Sequence, residues 1–170
     1  MRKFLPEQRL AAFELQQLLF DYAAELDLNQ CRNADRFYVE DGEFVPGSSP
    51  LYGREAIAEF YARRNESAGR LLKDGIRTAR HTFVNVRVHL AGEDEATILC
   101  TQVNYAGEGE APVLGLQGPG IIADCRIDCR RERDGTWRFA RFAAVPALIG
   151  EDGFMVKMMA EAELVAEQEG

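Results

Sequence analysis

Hydrophobic residues recur at helical spacing over the N-terminal part of the chain. Leu15, Leu19, Tyr22 and Leu26 fall at positions i, i+4, i+7 and i+11, while glutamate and glutamine residues occupy the other faces. This spacing predicts an amphipathic helix over about residues 7–27.

A second, shorter helix is predicted over about residues 33–40. Asn33 is a suitable N-cap, and the turn-forming dipeptide Asp41-Gly42 marks the end of the helix. An extended segment interrupted by two prolines follows. Beyond Gly53 the apolar residues return to helical spacing, which predicts a third helix.

From about residue 79 the pattern changes to the two-residue alternation of β-strands. Thr82, Val84, Val86 and Val88 alternate with residues of a different character over ten positions. The segment is therefore predicted to be a long strand.

Three more strand-like runs complete the predicted sheet. They are ATILCTQVNYA, IIADCRIDCRRER and TWRFARFAAV, and Asp134-Gly135 is a strong hairpin signal between the last two. Residues 151–170 are predicted to form a C-terminal helical extension.

Helices followed by a long antiparallel meander are typical of an α+β domain. Because 170 residues fit one domain, we predict a single cone-shaped domain over residues 1–170. A curved, mixed but mostly antiparallel sheet would carry the N-terminal helices on its concave face. The apolar interior of such a cone is a natural pocket for a small molecule.

Composition and charge exclude several classes of protein. No apolar run approaches the roughly 20 residues that cross a bilayer, and the N-terminal residues turn polar too soon for a signal peptide, so we expect a cytoplasmic protein without membrane contacts. The net charge of −8 disfavours binding to nucleic acid. The four cysteines lack Cys-x-x-Cys spacing and only two histidines accompany them, so we expect reduced thiols and neither a metal site nor a cofactor.

Four stretches give the chain a family resemblance: LLFDYAAELD at 18–27, YGREAIAEFYARR at 52–64, ARHTFVNVRV at 79–88 and DGTWRFARF at 134–142. In this order, over about residues 10–147, they resemble the SnoaL-like branch of the nuclear-transport-factor-2-like superfamily. That superfamily also contains the polyketide cyclases, scytalone dehydratase, ketosteroid isomerase and the small subunits of ring-hydroxylating dioxygenases. The resemblance implies the cone-shaped fold, but a fold that hosts many activities does not assign one.

Scytalone dehydratase and its relatives are the best guide to chemistry. The resemblance implies that an aspartate ending the first helix and a histidine opening a central strand face each other in the cone, and Asp27 and His81 match these positions. Elsewhere the sequence departs from the family. The second histidine of the family falls near Cys100, and its polar Ser and Asn fall near Asp124 and Arg126, which argues against the same dehydration of the same substrate.

Asp27 and His81 are also suited to proton transfer by their own chemistry. On a helix, Asp27 lies one to two turns after Phe20, Ala23 and Ala24, so its carboxylate would be partly desolvated. An imidazole whose tautomer is fixed by a carboxylate is a competent general acid or base. The alternatives are a helix-end carboxylate that accepts hydrogen bonds from loop amides, and a histidine that is part of the core.

Seven further residues are candidates for substrate binding. Tyr52, at the predicted mouth of the cone, could donate a hydrogen bond to a substrate carbonyl, and Asn85 shares the predicted strand face of His81. Asp124 and Arg126 share a strand face and could form an ion pair at the pocket or at a dimer interface. The full set is Tyr52, Asn85, Phe83, Phe20, Cys100, Asp124 and Arg126.

Three functions are compatible with these residues. The first is a cofactor-independent lyase- or isomerase-type enzyme, in which Asp27 and His81 move a proton during dehydration, isomerisation or cyclisation of a small hydrophobic or aromatic substrate. The second is a non-catalytic small subunit that assembles with a large oxygenase subunit, and the third is a non-catalytic binder of an apolar ligand. In each case we expect a homo-oligomer, a dimer or trimer, because valines and aromatic residues alternate on the outer sheet face.

Overall fold

The helices and strands follow the predicted order along the chain. A computed structural model describes residues 4–154 with the exception of residues 48 and 117. The predicted C-terminal helical extension at 151–170 lies almost wholly outside the described residues. The elements are α1 (Pro6–Leu28), β1 (Tyr38–Pro46), β2 (Leu51–Tyr52), α2 (Gly53–Leu71), β3 (Arg77–Leu90), β4 (Glu95–Glu108), β5 (Ile121–Arg131) and β6 (Trp137–Ile149).

The first helix matches its prediction to within one residue at each end. Leu15, Leu19 and Tyr22 are at most 2% exposed, so the predicted apolar stripe faces the core. Pro6 occupies the first helical turn, where its missing N–H leaves no hydrogen bond unmade. In the described part of the chain, no helix is long and apolar enough to cross a membrane.

The predicted helix over residues 33–40 is wrong. A short 3₁₀ turn spans Ala34–Phe37, and Tyr38 already begins β1. Aromatic and β-branched residues favour strands, and Tyr38 lies opposite Phe139 in the pairing of β1 with β6. Pairing with a distant part of the chain therefore overrides the local helix signal.

The six strands form one open sheet in the order β2-β1-β6-β5-β4-β3. Neighbouring strands are antiparallel except β1 and β6, which are parallel. The prediction of a mixed, mostly antiparallel sheet in an α+β domain is confirmed. Since β2 and β3 are the two edges, β3 has a neighbouring strand on one side only.

Both helices pack on the same face of the sheet, which we call the inner face. α1 packs mainly on β3, and α2 packs on β1. Ile98, Ile127 and Phe139 lie on this face and are fully buried. Residues that alternate with them point to the opposite, outer face.

A β-bulge interrupts the alternation in β3. The pairing of β3 with β4 shifts register between Val84 and Arg87, and Asn85 takes a positive φ of 55°. Before the bulge Phe83 is buried on the inner face, whereas after it Val88 is buried there. The extra residue thus changes which positions point inward.

Candidate active site

Asp27 and His81 are in direct contact on the inner face. Asp27 lies in the last turn of α1, and His81 lies near the start of β3. The Asp27 Oδ1 atom is 2.6 Å from His81 Nδ1, and Oδ2 accepts the backbone N–H of His81 at 2.8 Å. Their side chains are only 8% and 7% exposed. Both carboxylate oxygens are therefore held by the same histidine.

Asn104 occupies the other side of the imidazole. It lies opposite His81 on β4, and its Nδ2 atom is 3.1 Å from His81 Nε2. Since the N–H of His81 points towards Asp27 and away from β4, these two residues form a non-hydrogen-bonded pair, in which side chains approach closely. Asn104 is 9% exposed, and its Oδ1 atom is buried and has no hydrogen-bond partner in the part of the chain that the structure describes.

The contacts assign the protons of the site. An ionised carboxylate only accepts hydrogen bonds, so His81 Nδ1 carries the hydrogen that points to Asp27. The amide N–H of Asn104 then donates to the lone pair on Nε2. In the tautomer that carries its hydrogen on Nδ1, Nε2 is the basic atom of His81.

The sequence analysis missed Asn104. The resemblance placed the second histidine of the family near Cys100, but the strand register puts Asn104, four residues further along β4, opposite His81. A signal was present in the sequence, because Asn104 is a polar residue in the same alternating phase as the buried Ala96 and Ile98. Recognising that signal requires the register of two strands.

Two predicted binding residues share the inner face with the pair. Phe83 is the next inward residue after His81 and contacts Phe142, with 6.3 Å between ring centroids. Cys100 is buried opposite Cys125 on β5, about 13 Å along the strand from Asn104. Phe83 is thus the nearer of the two to the imidazole along the sheet.

Three tyrosine hydroxyls meet inside the fold. The hydroxyl of Tyr22 is 2.6 Å from that of Tyr61 and 3.2 Å from that of Tyr38. Burial raises the pKa of all three phenols well above the usual value. These side chains fill the centre of the fold as neutral hydrogen-bonded groups.

Asn85, Asp124 and Arg126 lie on the outer face of the sheet. The bulge exposes Asn85, so the prediction that it shares the face of His81 is wrong. The predicted pairing of Asp124 with Arg126 is also wrong, because Arg126 Nη2 is 3.1 Å from Asp128 Oδ1 instead. Asn85, Asp124 and Arg126 line an open groove of ≈ 490 Å³, together with Arg141.

Tyr52 and Phe20 are also separated from the pair. Tyr52 lies in β2, at the opposite edge of the sheet from β3, and is 68% exposed. Phe20 is 48% exposed on α1, because it falls outside the buried stripe of that helix. The fold brings neither residue to the imidazole.

The cysteines are free and buried. Burial raises the pKa of the Cys129 thiol, and a hydrogen bond with Cys100 together with burial raises that of Cys125. Within residues 4–154, apart from 48 and 117, no cluster of three histidine, cysteine, aspartate or glutamate side chains is placed to hold a metal ion.

Most of the chain matches one family of known proteins. Residues 8–143 match the profile of the SnoaL-like domain. The chain belongs to the SnoaL-like family. The resemblance noted in the sequence is thereby confirmed, and the matched region of this SnoaL-like chain contains most of α1 and all of β3.

Solved structures share the SnoaL-like fold at low sequence identity. A scytalone dehydratase candidate from Novosphingobium aromaticivorans is 18% identical, with a TM-score of 0.69, and the match covers 86% of this chain and 90% of that protein. An NTF2-like protein with a cystatin-like fold from the same organism is 23% identical, with a TM-score of 0.59 and coverages of 82% and 86%. A Catenulispora acidiphila protein is 22% identical, with a TM-score of 0.67 and coverages of 82% and 93%. No curated protein matches the chain.

Proposed function

We propose that the protein is a cofactor-independent lyase- or isomerase-type enzyme in which Asp27 and His81 transfer a proton. The observation that carries this proposal is the 2.6 Å contact between Asp27 Oδ1 and His81 Nδ1 on the inner face. Family membership and the structural similarity to a scytalone dehydratase candidate support the same class of chemistry.

His81 Nε2 takes the proton after the Asn104 amide, whose Nδ2 atom lies 3.1 Å from it, has moved off its lone pair. A base at this position removes a proton from a carbon next to a substrate carbonyl, and the electron pair of the C–H bond moves into an enolate or expels a β-hydroxyl group. The imidazolium that forms is stabilised by the ionised carboxylate of Asp27. Because Asp27 also accepts the backbone N–H of His81, the carboxylate is held in position throughout.

Asn104 responds to the arrival of the proton. Once Nε2 carries a hydrogen, it no longer accepts from the Asn104 amide, and that amide must present Oδ1 to satisfy the new N–H. Oδ1 is buried and has no hydrogen-bond partner among the described residues. The amide is therefore a positioning group whose two orientations suit the two protonation states of His81.

The walls of the inner face indicate the substrate. Phe83 and Phe142 are buried against each other on this face, and apolar aromatic side chains favour an apolar or aromatic ligand. The substrate in this proposal is a small hydrophobic or aromatic carbonyl compound.

The first test measures proton abstraction without knowledge of the natural substrate. A panel of small aromatic ketones is incubated with the protein in D₂O, and replacement of the α-hydrogen by deuterium is followed by proton NMR. Asp27→Asn and His81→Gln are expected to slow the exchange by about 10²- to 10⁴-fold, since general acid–base groups typically contribute that much. Asp41→Asn, an exposed aspartate in an ion pair with Arg130, and His89→Gln, the other histidine, are matched controls.

The outcomes separate the three functions. Exchange that persists in folded Asp27→Asn and His81→Gln proteins contradicts the proposal. Saturable binding of the ketones without exchange, unchanged in both variants, indicates a binding protein. Absence of binding together with recovery of a larger oxygenase chain alongside the protein indicates a structural subunit.

Asn104 is tested by the nitrogen spectrum of His81. In ¹⁵N-labelled protein the neutral ring is expected to carry its hydrogen on Nδ1. Asn104→Asp places a second carboxylate beside Nε2 and is expected to keep the ring doubly protonated to a pH about 1 to 3 units higher, because a nearby opposite charge favours the charged form. Asn104→Leu, of similar size but without polar atoms, is the control. Identical titrations of His81 in all three proteins would contradict the role of Asn104.

A further inference from the structure

A second buried charged group, the guanidinium of Arg77, lies on the inner face at the start of β3. The Arg77 side chain is only 5% exposed, and its Nη2 atom is 2.6 Å from Asp152 Oδ2. The Nε and Nη1 atoms of the same guanidinium are buried and have no hydrogen-bond partner among the described residues. Buried donors without acceptors are rare in folded proteins, so these two atoms require an explanation.

Another guanidinium lies close to Arg77. Arg64, on α2, donates to the sulfur of Cys31 at 3.5 Å, and no carboxylate of a described residue forms an ion pair with it. The ring of Phe154 lies 6.0 Å from the Arg64 guanidinium and 5.7 Å from that of Arg77. Burial lowers the pKa of Arg77, the charge of Arg64 lowers it further, and Asp152 opposes both effects.

A small cavity adjoins Arg77. Its volume is ≈ 30 Å³, and Arg77, Asp152 and Phe154 are among its lining residues. That volume is large enough for one oxygen atom. Glu108 also lines the cavity, and its carboxylate accepts the backbone N–H of Lys73 at 3.4 Å.

Arg77 and His81 lie on the same face of β3. They are four residues apart, which corresponds to about 13 Å between Cα atoms. The small side chain of Ala79 is the only one between them in this phase. Cys31 accepts from Arg64 at 3.5 Å. Burial raises the pKa of its thiol, the positive charges of Arg64 and Arg77 lower it, and the negative charges of Glu25 and Asp27 raise it.

We propose that Arg77 binds a carboxylate of the ligand, so that the protein acts on a small carboxylic acid whose apolar body extends towards His81. One carboxylate oxygen occupies the cavity and accepts from the unpaired guanidinium N–H groups. That this ligand is a substrate rests on the proposed function. That Arg77 binds its carboxylate does not.

The test compares benzoate with benzamide, which has the same shape without the charge. Binding is followed at constant ionic strength by calorimetry and by the Nε–H signal of Arg77 in ¹⁵N NMR spectra. Benzoate is expected to shift that signal and to bind at least about tenfold more tightly than benzamide, as charge-assisted hydrogen bonds are stronger than neutral ones.

The matched variant removes both members of the buried ion pair. The double substitution Arg77→Gln with Asp152→Asn leaves no unpaired charge behind and is expected to weaken benzoate binding at least about tenfold. Arg141→Gln, on the outer face, is the control and is expected to leave binding unchanged.

The result that overturns the proposal is equal binding of benzoate and benzamide, or a benzoate titration that leaves the Arg77 Nε–H signal in place. Either result means that the N–H groups of Arg77 do not bind a ligand carboxylate. Because the NMR measurement uses the wild-type protein, it tests carboxylate binding at Arg77 even if the double variant does not fold. Tight benzoate binding without α-hydrogen exchange in the ketone panel would retain the carboxylate site and reject the proposed catalysis.

Discussion

The two faces of the central sheet are built from the same strands but place polar groups in different environments. On the inner face the polar groups of Asp27, His81 and Asn104 are nearly inaccessible and depend on one another. On the outer face Arg126 is exposed and pairs within its own strand, with Asp128. A polar group withdrawn from water must find a partner inside the protein, whereas an exposed one exchanges its partner for water at little cost.

The largest difference between the faces is expected for apolar residues. Phe139 is fully buried and its ring centroid lies 5.2 Å from that of Tyr22. Phe139→Ala is expected to lower the free energy of unfolding by about 3–5 kcal/mol because it leaves a cavity. Val145→Ala on the outer face should change it by less than about 0.5 kcal/mol. Chemical denaturation of both variants measures the contrast, and equal losses would contradict it.

A smaller but still clear effect is expected for the buried tyrosine hydroxyls. Tyr22→Phe removes the shared partner of Tyr38 and Tyr61, and unpaired buried hydroxyls cost about 1–3 kcal/mol. Tyr52→Phe is the control, since that side chain is largely exposed. If thermal unfolding shows no difference between the two variants, the inner-face hydrogen bonds contribute no more than exposed ones.

Surface ion pairs should contribute still less to the free energy of unfolding. Arg141 Nε donates to Glu43 at 2.9 Å across β6 and β1, where both side chains are partly exposed. Arg141→Gln is expected to cost less than about 1 kcal/mol, and less still at high salt. A loss above 2 kcal/mol in urea unfolding, on the scale of buried-group losses, would show that this pair behaves as an inner-face contact.

The smallest effect on stability is expected from protonation of Asp134, in the turn between β5 and β6. A hydrogen bond from Arg138, with the backbone N–H of Thr136, lowers the pKa of Asp134 to about 2. An unfolded aspartate titrates near 3.9, so the stabilisation is complete above that value and is lost as the pH falls from about 4 to about 2. The unfolding free energies of wild type and Asp134→Asn should therefore converge over this interval. A constant difference between them down to pH 2 would be inconsistent with the lowered pKa.

Local patterns predicted most of the elements, because burial follows periodicity wherever one stripe of residues meets the core. Leu15 and Leu19 show this for α1, and the hairpin at Asp134-Gly135 shows it for a turn. Prediction failed where pairing between distant strands decides the structure. The strand that begins at Tyr38 depends on β6, and the inward direction of each residue in β3 depends on a bulge at Asn85.

The residues of the candidate site also fall into those that the sequence could predict and those that depend on pairing between distant strands. Asp27 and His81 could be named in advance because family resemblance carried both positions. Asn104 could not, since its role follows from a cross-strand register that the sequence does not display. Nor could the sequence indicate the unpaired guanidinium atoms of Arg77, which become apparent only when every buried donor has been matched with an acceptor.

The position of His81 on an edge strand gives Asp27 a second effect. The free side of β3 presents backbone N–H groups to which a strand from another molecule could add. One of those groups, that of His81, is already occupied by the Asp27 carboxylate. The Asp27 carboxylate therefore also occupies one of the edge donors with which an added strand would pair.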